Sequence, residues 1–86
     1  MYKVYILLCN DLSFYVGYAD NLKNRLADHN NKQGSKYLFS KLPVKLVHYE
    51  NYKTKEEAIK RERQLKGWSR IKKINLIKYG QPNPKT

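Results

Sequence analysis

Apolar and polar positions along this 86-residue chain change their period several times, and each change marks an element. Val4, Ile6 and Leu8 alternate with Tyr5, Leu7 and Cys9, the two-residue period of a strand, predicted over Met1–Cys9. Both sets are apolar, so this strand is expected to be covered on both faces. Phe14–Tyr18 reads as a second strand, and the turn-formers Asn10–Ser13 join the two into a β-hairpin. Leu22 and Leu26 then set a helical spacing, predicting a helix from about Asn21 to Asn30. Asp20 or Asn21 opens it by accepting a backbone N–H that has no partner within the helix. Asn30–Lys36 is a polar stop. Ser35–Leu42 mixes basic and aromatic residues and reads as a surface loop or short helical turn. Pro43 opens a third strand, running to about Tyr52, in which Val44, Leu46 and His48 alternate with Lys45, Val47 and Tyr49. Thr54 followed by Glu57 has the form of a capping box, starting a helix from about Lys55 to Lys66 that Gly67 ends. Ser69 caps a last helix, Arg70 to about Tyr79, with Ile71, Ile74, Leu76 and Ile77 as its apolar set. The order is β-β-α-β-α-α, an α+β domain over residues 1–80, with a frayed tail at 81–86.

Composition narrows the class of protein. A chain of this size buries roughly two-thirds of its unfolded surface, and 41% apolar residues with eleven aromatics (eight Tyr, two Phe, one Trp) support a folded core. Eighteen Lys and Arg against seven Asp and Glu leave a formal net charge of +11. Such a surface attracts polyanions: nucleic acid first, ribosomal RNA or an anionic membrane face behind it. The single Cys9 lies in a strand pattern and reads as a small buried hydrophobe. There is no Cys/His zinc spacing, no secretion signal and no apolar run long enough to span a membrane, so a reducing, cytoplasmic setting is expected.

A few positions carry chemistry. Tyr5 and Tyr15 lie ten apart on the two hairpin strands. Gly17 lets another group approach the second strand closely, a gap that a phosphate or a packed helix would use. Arg25 and His29 are four apart and share a helix face. Lys36, Tyr37, Phe39 and Lys41 interleave charge with rings, which suits a nucleic-acid contact or ties the loop to the core. Glu62 stands out because it falls in the inward stripe of its helix with Ala58 and Leu65, and Ile59 alongside. A buried carboxylate without a partner is costly. Either Glu62 pairs with Lys66, Arg61 or Arg63 at a helix edge, or it points into a polar pocket and holds a divalent cation.

In this order and at these intervals, Val4–Tyr5, Tyr15–Val16–Gly17, Arg25, His29 and Glu62 resemble the GIY-YIG nucleases, most closely the small stand-alone, YhbQ-like type. The run from Ala58 to Arg70 is similar to the second half of that type, and the resemblance covers nearly the whole chain. It implies a three-stranded, mainly antiparallel sheet flanked by helices, and phosphodiester hydrolysis with one divalent ion, Mg²⁺ or Mn²⁺. Carried over, Tyr5 and Tyr15 are the motif tyrosines, Gly17 the motif glycine, Arg25 the phosphate-binding arginine, His29 the helix histidine and Glu62 the metal ligand. Gly17, Tyr18, Lys36, Tyr37 and Lys41 are expected along the nucleic acid. Lys3 replaces the first motif glycine, and Val4 and Val16 replace isoleucines. Tyr18 stands where some relatives carry a catalytic lysine, and Asn75 is a candidate for an asparagine that some carry in the last helix.

The expected chemistry follows. Tyr5 is the first choice of general base. A free phenol titrates near ~10, so its pKa must be lowered by the metal and local cations, or it must hand its proton on. His29, near ~6.5 when free, is the natural recipient or an alternative base, and Tyr15 holds a water or the phosphate. Tyr2, Tyr49, Tyr52 and Tyr79 are assigned to packing or surface, His48 to structure, and Trp68 to packing the second helix on the third. The chain has no targeting domain in view, so weak specificity is expected: branched or damaged DNA in repair or recombination, or recruitment by a partner protein. The rival reading is a basic nucleic-acid-binding module without catalysis.

Overall fold

The unbroken apolar character of the first strand decides the architecture. In the computed structural model, which describes residues 1–31 and 36–80, β1 (Tyr2–Leu8) is the middle strand of a three-stranded sheet of order β2-β1-β3. β2 (Phe14–Ala19) and β3 (Lys45–Tyr52) both run antiparallel to it. A central strand has no solvent-facing side here, and each of its faces seeds a core. Tyr5, Leu7 and Cys9 pack with Ala19, Leu22, Leu38 and Val44 on one face. Val4 and Ile6 pack with Val16, Ala58, Leu65 and Leu76 on the other. The first core is covered by α1 (Leu22–Asn30) and a 3-10 helix (Lys36–Lys41), which settles the alternative left open for that segment in favour of the helical turn. The second is covered by α2 (Lys55–Lys66) and α3 (Arg70–Tyr79). The element order and the α+β class match the expectation; the tail at 81–86 lies outside the described residues.

The helix ends follow local chemistry. Asn21 rather than Asp20 caps α1, accepting from Asn24 N at 3.1 Å. The Thr54–Glu57 capping box is complete, and Ser69 caps α3. Asn30 ties the end of α1 to the start of β3: its Oδ1 accepts from Val44 N at 2.9 Å.

Two readings need correction. The apolar alternation in the third strand does not persist, because a bulge shifts the register between Ile6 and Leu7. Leu46 therefore packs in the first core and Val47 in the second, while His48, Glu50 and Tyr52 pair with Ile6, Val4 and Tyr2 on the face that carries α2. The strand also begins at Lys45, not at Pro43. In α3, Ile71 is 66% exposed. It lies five residues from the buried Leu76, nearly the opposite side of a helix turning about 100° per residue.

Candidate active site

The β2 edge of the sheet is where its two faces meet, and a polar cleft of about 410 Å³ opens there. Tyr5, Tyr15 and Arg25 reach it from the α1 face, and Glu62, Tyr2 and Tyr18 from the α2 face. Gly17, Ala19, Asp20 and Lys55 complete its lining.

Gly17 explains how a tyrosine from the middle strand reaches an edge. Tyr5 pairs with Gly17 across β1 and β2, so both lie on the same face. A Cβ at position 17 would stand 2.6 Å from the Tyr5 hydroxyl and 2.8 Å from its Cζ. The group that exploits the glycine gap is thus the Tyr5 phenol itself, not a phosphate or a packed helix. Lying over Gly17, the phenol meets His29 Nε2 at 3.2 Å. Tyr15 sits beside both rings, its centroid 6.5 Å from Tyr5 and 5.5 Å from His29.

Arg25 and His29 share a face of α1 but divide its two environments. Arg25 is exposed and lines the cleft, whereas His29 is buried behind Tyr5. Burial first, and the Arg25 charge second, push the His29 imidazole below its usual pKa against the pull of Asp28. Burial likewise pushes the Tyr5 phenol well above the usual tyrosine range; Tyr15 adds to this, Arg25 opposes it and Glu62 adds to it. The lowering of the Tyr5 pKa by local cations is not realised: the pull of Arg25 is outweighed. In this protein Tyr5 is a neutral phenol at pH 7.

Glu62 has both the expected Lys66 partner and a place on the cleft wall. The carboxylate is 15% exposed, faces the cleft, and has Lys66 Nζ 3.5 Å from Oε2. Among the described residues no group of three or more His, Cys, Asp or Glu gathers as a ready-made metal cage. The donor set, one carboxylate on a roomy polar cleft with Asp20 on its wall, suits a hard cation that keeps most of its waters.

Of the residues expected along nucleic acid, Gly17 and Tyr18 line the cleft, and Lys36, Tyr37 and Lys41 do not. Lys36 is exposed on the 3-10 helix. Tyr37 stacks on Tyr15 at 6.2 Å between centroids, extending the row of rings outward. Lys41 is committed to Asp11 and approaches the Tyr37 ring. Hydrogen bonds from Lys41 and then Ser13 hold the Asp11 carboxyl far below the usual range. Asn75 is half-buried in α3 and away from the cleft. Tyr2, Asp20 and Lys55 were missed as cleft residues. Tyr2 shares the period-two face of Val4, but Asp20 and Lys55 border helix starts and carry no periodic signal.

A cleft joining two strand tyrosines, a helix arginine and a carboxylate from a later helix defines a class. Residues 1–75 match the GIY-YIG catalytic domain, and the chain belongs to that family, a nuclease superfamily. Its relatives narrow the placement. The chain is 48% identical over 77 residues to the UPF0213 protein SSP2268 of Staphylococcus saprophyticus, covering 90% of this chain and 94% of that one. A UPF0213 protein of Staphylococcus aureus strain Mu50, SAV0488, is 49% identical over 75 residues, covering 87% and 92%. Among solved structures, the UPF0213 protein BH0048 of Bacillus halodurans superposes with a TM-score of 0.58 at 34% identity, covering 99% of this chain and 96% of that one. Protein EF2693 of E. faecalis gives 0.61 at 38% identity, covering 90% and 82%. No helix among the described residues is long and apolar enough to cross a membrane.

Proposed function

We propose that this protein is a metal-dependent endonuclease that hydrolyses DNA phosphodiester bonds, with Tyr5, Tyr15, Arg25, His29 and Glu62 as its working residues. The observation that carries this reading is the convergence of Tyr5, Tyr15, Arg25 and Glu62, from four separate elements, on one cleft of a strongly basic molecule.

The exposed Arg25 guanidinium pairs through its planar fork with non-bridging phosphate oxygens. Glu62 would hold one Mg²⁺ or Mn²⁺, a hard cation suited to carboxylate oxygen. When bound, that ion polarises the phosphate and neutralises the leaving oxygen. Tyr5 moves a proton without becoming a free phenolate. With His29 in the tautomer that leaves Nε2 unprotonated, the Tyr5 hydroxyl donates to it across the 3.2 Å contact. As the attacking water gives its proton to the Tyr5 oxygen, the Tyr5 proton passes to His29. A depressed imidazole pKa keeps His29 neutral and ready to receive it. Tyr15 orients the water or the phosphate, and Tyr18 and Lys55 flank the strand entering the cleft.

The substrate reading is branched or damaged DNA in repair or recombination, with a partner protein supplying targeting and the cytoplasm as the setting. The test is a plasmid-nicking and branched-DNA assay with Mg²⁺, Mn²⁺ or chelator beside a binding titration. Cutting that chelator abolishes is expected. Tight binding with no metal-dependent cutting would replace the nuclease with a basic binding module.

A further inference from the structure

α2 carries adjacent residues of opposite charge, Arg61 and Glu62, and they go to opposite edges of the sheet. Ala58 and Leu65 mark the line along which α2 is buried. With about 100° between successive residues, Arg61 falls about 50° to one side of that line and Glu62 about 50° to the other. Glu62 reaches the cleft at the β2 edge. Arg61 reaches β3, where its Nε donates to Glu50 Oε1 at 2.8 Å and its Nη2 to Oε2 at 3.1 Å.

Glu50 is held on every side. Tyr52 donates to Oε1 at 2.7 Å, and His48 Nε2 lies 2.9 Å from Oε2. Burial alone would raise its pKa, but the hydrogen bonds from His48, Arg61 and Tyr52 overcome this and hold it at about 2. Arg61 also donates to Gln64 Oε1 at 2.8 Å and lies 5.0 Å from the centroid of Trp68, at the turn into α3. Both members of the pair are 15% exposed. A shielded pair of this kind returns little net stability after desolvation; what it provides is a fixed geometry.

We infer that Glu50 and Arg61 are positioning residues: a two-pronged clamp from β3 that sets the roll of α2 about its axis and thereby aims Glu62 into the cleft. The inference rests on the reading of Glu62 as the metal-holding carboxylate. A side-chain tip stands about 6 Å from a helix axis, so a roll of about 20° displaces it by about 2 Å. That exceeds what a metal–oxygen bond tolerates. Because Arg61 and Glu62 flank the same buried line, a roll that brings one toward the sheet lifts the other from it, so the clamp at one edge fixes the reach at the other.

The test uses Glu50→Gln and the double variant Glu50→Met/Arg61→Met, which removes the pair without stranding a charge. Each is ¹⁵N-labelled and titrated with MnCl₂, and paramagnetic broadening of the Gly17 and Ala19 amide signals reports ion uptake in the cleft. The dispersed spectrum reports the fold. Wild type is expected to show saturable broadening that Glu62→Ala removes. Both clamp variants are expected to keep a folded spectrum and to need at least tenfold more Mn²⁺, yet to change nothing further in the Glu62→Ala background. Arg61→Lys, which keeps the charge but loses the fork, is expected to fall between. A folded double variant with wild-type Mn²⁺ uptake would overturn the clamp while leaving the metal reading intact. Wild-type broadening that Glu62→Ala does not touch would overturn both.

Discussion

A single methyl group at position 17 separates a strand role from a site role. The Cβ of Gly17→Ala would meet the Tyr5 hydroxyl at 2.6 Å and Tyr15 Cε2 at 3.2 Å. Tyr5 is buried among core residues, so relieving the clash must displace the strand or the ring and disturb the 3.2 Å Tyr5–His29 contact. Gly17→Ala is expected to cost about 1–3 kcal/mol in urea unfolding, as overpacked sites do, and to lower cleavage further than its folded fraction explains. His29 gives a second expectation. Its folded pKa lies below the unfolded value of 6.5, so the unfolded chain binds the extra proton first. The stability that depends on neutral His29 is complete above pH 6.5 and is lost as pH falls below it toward the lower folded value. Melting of wild type between pH 7.5 and 5 should therefore fall more steeply than that of His29→Gln. The Glu50 carboxylate, at about 2, titrates outside this window. At this scale the tyrosines, Arg25, His29 and Glu62 were legible as residues, because their order and intervals are written in the chain. The elevated Tyr5 phenol was not, since burial of its hydroxyl depends on Gly17 being opposite and His29 being behind.

Elements were legible where a local rule decides them. The Thr54–Glu57 box can be read from four residues, and it forms with Thr54 Oγ1 accepting from Glu57 N at 3.2 Å. Thr54→Ala should cost about 1 kcal/mol, or roughly 4–8 °C in Tm for a domain of this size. A cut in Glu62-dependent activity should accompany it only near the melting range, since the cap lies about two turns from Arg61 and Glu62. The third strand was legible in its existence and its end at Tyr52, but not in its first residue or its facing. A bulge adds one residue and changes sides, and nothing local to Leu46–Val47 signals it. That change of side is what puts His48, Glu50 and Tyr52 beneath α2, so the Arg61 clamp stayed hidden behind it.

At the scale of the molecule, the apolar run of β1 told of two covered faces, and the structure has a core on each. It did not tell that the faces communicate around the β2 edge. That follows from the strand order, which places β2 outside and β1 within. Charge acts at this scale too: positive charge is spread over 18 Lys and Arg, so loss of one cleft carboxylate is expected to leave DNA binding nearly intact. Cutting, on the proposed reading, depends on the cleft. The decisive measurement is therefore single-turnover cleavage of a DNA substrate by Glu62→Ala in Mg²⁺, at enzyme concentrations that saturate binding. At least a hundredfold loss of rate is expected, with the binding curve unchanged within twofold. Cleavage at the wild-type rate would contradict it.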